Sequence, residues 1–156
     1  MTYGRNLQAY RSNQVMTADP GTILLMLYQG AIDFLRRAES AMERKDMAEK
    51  GLYINKTLAI VSELLESLNF EVGGDVARNL ESLYLFMISH ITAANVKNDP
   101  QLLAETIQML STLKEGWTEA VASERKRLAS GDTQTAPLIS TQMVPTSHES
   151  TVAVRA

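Results

Sequence analysis

The chain has 156 residues, 45% of them hydrophobic, a formal charge of −3 and no cysteine, which suits one domain around one core. That balance leaves no basic footprint for nucleic acid, because Arg36-Arg37 and Arg125-Lys126-Arg127 stand beside acidic residues. Without cysteine neither a disulfide framework nor a thiolate metal site can form, and the Ile23–Leu27 run stops far short of a bilayer span.

Residues 1–18 are polar except for Tyr3, Leu7, Tyr10, Val15 and Met16. They lack the apolar core of a secretory signal, so a soluble, non-secreted protein is expected. Too sparse to build a core, they suit a capping segment that lays a few side chains on a groove. At Asp19-Pro20 an aspartate can accept from orphan amides and a proline can take the first helical position, which predicts a helix over 20–44. Its Leu24, Leu27, Tyr28, Ala31, Phe34, Leu35 and Ala38 fall on one side, while Leu25, Met26 and Ile32 project away from it.

Asp46, with Glu49 three residues on, resembles a capping box and starts a second helix over 47–69. Its stripe is Met47, Gly51, Ile54, Leu58, Val61, Leu65 and Leu68. Asp75, after the Gly73-Gly74 break, starts a third over 76–97, striped by Val76, Leu80, Leu83, Tyr84, Met87, Ile91 and Ala94. Asp99-Pro100 starts a fourth over 100–128, with Leu103, Ile107, Leu110, Leu113, Trp117 and Val121 inward. Short connections between long helices make neighbours antiparallel, so the fold class is all-α, an up-down four-helix bundle over 19–128. Residues 129–156 hold Pro137 and Pro145 among serines and threonines. They read as a flexible tail whose apolar pieces are Leu138-Ile139 and Met143-Val144.

Catalytic chemistry is not expected. His148 lies in the tail, and His90 sits at the flank of the third stripe. A histidine phosphotransfer module would be a four-helix bundle with one exposed histidine. Ile91-Thr92-Ala93-Ala94-Asn95 lacks the lysine and glycine such modules place downstream, which leaves His90 a partly buried structural residue. A carboxylate-bridged metal pair needs a Glu-x-x-His step, but position 87 is methionine and Glu63, Glu66, Glu81 and Glu105 fall off the stripes. No phosphate loop and no nucleophile with a plausible base is present, so no cofactor is expected.

Surplus apolar residues carry the functional reading instead. Tyr53, Ile60 and Leu64 form a second line on the second helix, and Leu85, Phe86, Ile88 and Val96 miss the stripe of the third. A bundle helix packing on two neighbours uses a wide stripe, which would absorb Ile32, Leu64, Phe86 and Ile88. Met26, Leu85 and Tyr53 are harder to absorb, and contiguous exposed apolar surface marks a binding site. Grooves between helices suit an amphipathic helix or a chain that folds on contact. Methionines such as Met26, Met42, Met87 and Met109 would let such a surface repack. These residues alone leave the segment's identity open, so a generic helical adaptor or regulator is the alternative reading.

The stretch Ala9-Tyr10-Arg11-Ser12-Asn13-Gln14-Val15-Met16-Thr17-Ala18-Asp19-Pro20-Gly21, followed by Leu25-Met26-Leu27-Tyr28-Gln29-Gly30-Ala31, resembles the opening of the FliS family of flagellar secretion chaperones. Ala93-Ala94-Asn95-Val96-Lys97-Asn98-Asp99, and Trp117 through Ser123-Glu124-Arg125, resemble that family's third-to-fourth helix turn and last helix. The likeness covers about residues 3–128. It implies an antiparallel helical bundle in the bacterial cytoplasm that binds the C-terminal segment of new flagellin, stops it polymerising early and helps deliver it to the flagellar export gate. In the family the N-terminal segment covers part of the groove, and Leu7 and Tyr10 occupy the positions that would do so here. Together with helical geometry, the likeness points to Leu7, Tyr10, Met26, Tyr53, Ile60, Leu64, Leu85 and Ile88 as flagellin contacts. Two features depart from the pattern: Asp19 stands where serine is common, which keeps the cap, and the tail is longer than expected. Monomer and N-terminally swapped homodimer are both open.

Overall fold

The computed structural model describes residues 19–131, folded as four helices: α1 Pro20–Glu43, α2 Met47–Glu66, α3 Phe70–Lys97 and α4 Pro100–Ala129. Leu7, Tyr10 and the tail readings fall outside the described residues. α1 packs on α2 and α4, and α3 packs on the same two, so α1 and α3 face each other across the diagonal of a square. This is the expected all-α four-helix bundle.

Caps set where the helices start. Asp19 accepts from the Thr22 N–H at 2.7 Å, Asp46 from Glu49 N–H at 3.0 Å and Asp99 from Gln101 N–H at 3.0 Å. Pro20 and Pro100 hold the first helical positions. The box at Asp46 is made by half: the Glu49 side chain pairs with Arg44, because the Asp46 N–H already donates to Ala41 O at 2.9 Å to close α1. α3 departs from its predicted start. It begins at Phe70 with Asn69 as cap, accepting from Val72 N–H at 3.1 Å, and breaks at Gly74, whose φ of 51° and ψ of −126° suit only glycine. Asp75 pairs with Arg78 at 2.6 Å just after the break.

The core is built from Leu24, Tyr28, Leu35, Ile54, Val61, Leu64, Tyr84, Met87, Ile91, Leu103 and Leu110. Three polar devices lie within it. The Trp117 Nε1–H donates to the Tyr28 hydroxyl at 3.1 Å, and the Tyr28 and Tyr84 hydroxyl oxygens are 2.5 Å apart, so α4, α1 and α3 meet through one hydroxyl. Burial pushes both tyrosines above their ordinary pKa and keeps them neutral hydrogen-bonding groups. Lys50, buried on α2, donates from Nζ to Asn95 O at 3.1 Å and to Asn98 Oδ1, placing a positive charge on the C-terminal end of α3. Thr57 and Thr106 turn their hydroxyls onto the carbonyls of Tyr53 and Leu102, both at 2.9 Å. Among the described residues no buried side-chain nitrogen or oxygen is left without a partner.

These devices rotate the α2 interior away from the predicted stripe. The buried line is Lys50, Ile54, Thr57, Val61 and Leu64, while Met47 is exposed and Leu58 and Leu65 are half-buried. Leu64, expected among the flagellin contacts, is therefore corrected to a core residue with 1% of its surface exposed.

Candidate functional site

One apolar face between α1 and α2 is only partly covered by the described residues: Gly30, Phe34, Tyr53 and Ile60 are half-buried. Gly30 opens its floor: a Cβ there would stand 3.5 Å from Ile60 Cδ1, with no other contact within 4 Å among the described residues. The Phe34 and Tyr53 rings stack beyond it, with centroids 5.8 Å apart and planes 29° apart. Met26, 39% exposed, lies one turn before Gly30 on the same face. Cations rim the aromatic end. Arg37 lies 5.4 Å over the Tyr53 ring and donates to its hydroxyl at 3.2 Å, and Lys56 Nζ lies 5.4 Å from the Phe34 centroid.

Three of the expected contacts, Met26, Tyr53 and Ile60, thus share one strip. Leu85 and Ile88 do not join it, because α3 is diagonal to α1. Leu85 is 51% exposed, Ile88 is packed partly on the core, and α2 separates both from the first strip. Phe34 was assigned to the core by its spacing and Gly30 was not singled out. The available signal was Gly30 itself, since a glycine inside an otherwise apolar helix costs about 1 kcal/mol against alanine and calls for a reason.

His90 faces the other way, toward α4. Its Nε2 is 2.7 Å from Glu105 Oε1, its ring stacks on Phe86 at 4.8 Å, and its side chain is 18% exposed. The contact with His90 holds the Glu105 carboxyl below its ordinary range. A ring nitrogen engaged by a carboxylate is poorly placed to accept a phosphoryl group, which would meet like charge. Among the described residues no group of three or more His, Asp or Glu is arranged to hold a metal ion, and no helix is long and apolar enough to cross a membrane.

At the end of the bundle where α1 begins, Arg125 Nη2 reaches Asp19 Oδ2 at 3.1 Å and also contacts the Thr22 hydroxyl. The Asp19 carboxyl is held below its ordinary range, first by the Thr22 backbone N–H, then by the Thr22 hydroxyl and Arg125. A carboxyl depressed on folding adds stability above its unfolded pKa and loses that contribution as pH falls through the folded value. Thermal denaturation of wild type and Asp19→Asn should therefore differ at neutral pH and converge only as the pH falls through the lowered folded pKa. Asp19→Ala should stay less stable at every pH, by about 1 kcal/mol, because the cap itself is lost.

The model of the family described as flagellar protein FliS matches residues 3–124. The flagellar secretion chaperone FliS of Vibrio cholerae is 40% identical over 118 residues, covering 73% of this chain and 87% of that protein. The chain belongs to the FliS family. FliSB of Pseudomonas aeruginosa, named a flagellar secretion chaperone, is 41% identical over 67% of this chain and 82% of its own length. FliS of Bacillus subtilis is 36% identical over 76% and 87%. FliS proteins are chaperones, so this chain is a chaperone of that family and not an enzyme. The phosphotransfer reading of His90 is set aside on the same ground.

Proposed function

We propose that the chain is a cytosolic flagellin chaperone, holding the C-terminal segment of newly made flagellin until delivery to the flagellar export gate. The observation that supports this reading, beside membership of the FliS family, is the partly exposed apolar strip of Met26, Gly30, Phe34, Tyr53 and Ile60 between α1 and α2. A client without structure of its own loses conformational entropy on binding, so it needs a long apolar contact rather than one deep pocket. An extended segment crossing α2 would reach Leu85 and Ile88 as well, which accounts for apolar exposure on two separate faces. Leu7 and Tyr10 of the capping segment 1–18 compete with the client for the first strip, so that release and capture are exchanges of similar contacts. Deleting residues 1–18 should then tighten flagellin binding, and unchanged affinity would remove this gating step.

The reading is tested by seeded flagellin polymerisation followed by light scattering. An equimolar amount of the chain should stop filament elongation. Elongation at an unaltered rate would refute the reading.

A further inference from the structure

Where α1 begins and α4 ends, Pro20, Gly21, Val121 and Leu128 line an apolar recess of ≈ 100 Å³, with Asp19, Glu124 and Arg125 at its edge. An apolar cavity of about 150 Å³ takes a benzene molecule, so this one has room for a single aliphatic side chain. Gly21 keeps the two helices close here, since a Cβ would come within 2.8 Å and 3.0 Å of the Val121 γ carbons. Leu128, on the last turn of α4, is 57% exposed.

The way α4 ends indicates what covers it. Three left-handed residues follow helices in this fold: Lys45 at φ 60°, Asn98 at φ 53° and Gly131 at φ 80°. After Lys45 and Asn98 the chain doubles back into an antiparallel helix. Gly131 makes the same turn bond as Lys45: its N–H donates to Leu128 O at 3.1 Å, as Lys45 N–H donates to Met42 O at 3.1 Å. The described chain thus ends on the kind of turn that elsewhere in this bundle precedes an antiparallel return, with 25 residues still to follow. At the other exit, Asp19 is extended (φ −74°, ψ 166°) and its carboxylate is engaged by Thr22 and Arg125, so this residue makes no reversing turn of its own.

We propose that the recess is the docking site of the chain's own C-terminal segment, filled by Leu138 or Ile139. These are the first large apolar side chains after Gly131. Seven extended steps reach about 23 Å, and Val121 lies about 15 Å back along α4, so the span is met with slack. Met143-Val144 would close a longer loop at greater entropic cost. Pro137, directly before the pair, narrows the conformations to be lost on docking.

The absence of cysteine allows one spin label to be placed on the full chain at Ser140→Cys, with amide signals read by NMR against the reduced label. The amides of Gly21, Val121 and Leu128 should lose their signals while those of Lys45 and Asp46, at the far end, keep theirs. Adding Leu138→Ser and Ile139→Ser should restore the lost signals. Uniform or no broadening would overturn the proposal. So would broadening seen only between labelled and unlabelled copies, which would make the occupant a second chain. Loss of the recess signals from a label at Asn13→Cys but not from Ser140→Cys would assign the recess to the N-terminal segment and overturn it equally.

Discussion

Gly30→Leu is expected to weaken flagellin binding about 100-fold, close to 3 kcal/mol, while leaving the melting temperature equal or higher. A leucine there points into the strip that Met26, Phe34, Tyr53 and Ile60 line and occupies the volume the client needs. The Cβ meets Ile60 Cδ1 at 3.5 Å, an ordinary contact, so the bundle has no reason to shift. Replacing a mid-helix glycine gains up to about 1 kcal/mol of helix propensity. Loss of binding joined to gain of stability cannot come from misfolding, and that pairing makes the variant informative. Gly116→Leu on α4 is the control, because a Cβ at Gly116 meets nothing within 4 Å. It should bring the same gain in stability with unchanged affinity. Calorimetric titration and thermal melts of both variants check the prediction. Equal loss of affinity in the two would move the client off the α1–α2 face.

Tyr28→Phe should lower the unfolding free energy by about 2–3 kcal/mol, measured by urea denaturation. Tyr28 is the node of its network: it accepts from Trp117 Nε1–H and shares a hydrogen bond with Tyr84, so its loss strands two polar groups. Tyr84→Phe strands only the Tyr28 hydroxyl hydrogen, or leaves it the Trp117 contact alone, and should cost about 1–2 kcal/mol. The double variant should cost less than the sum, because the members of one network do not act independently. Additive losses would mean that the hydroxyls act separately and that the diagonal pairing of α1 with α3 is incidental.

Much of the scaffold was legible because it depends on local chemistry. Asp19-Pro20 and Asp99-Pro100 announced α1 and α4, for a side-chain acceptor followed by a residue with no donor is needed at a helix start whatever lies beyond. Phe70 was missed for the opposite reason. The Gly73-Gly74 pair reads as the end of a loop, yet Gly74 alone absorbs the break, and Asn69 caps a further turn ahead of it.

The α2 interior was misread by about one position because hydropathy puts Lys50 and Thr57 outside. Nothing near them in sequence reveals their burial: Lys50 finds Asn95 O and Asn98 Oδ1 at the end of α3, and Thr57 bonds the Tyr53 carbonyl of its own helix, as an exposed threonine also could. Leu64 followed that rotation inward. The α1–α2 strip was legible in part. Met26, Tyr53 and Ile60 could be read as surplus because they miss their stripes, but Phe34 belongs to a helix that is apolar nearly all round, where periodicity no longer separates core from surface. That Leu85 and Ile88 sit apart from the others depends on which helices are neighbours, and no single helix carries that information.

The central claim is that these partly exposed apolar side chains bind the C-terminal segment of flagellin. Isothermal titration of the full chain with intact flagellin, and with flagellin lacking that segment, tests it most directly. The account predicts binding with a negative heat-capacity change for intact flagellin, as burial of apolar surface requires, and no binding heat for the shortened protein. Equal binding of the two would contradict it.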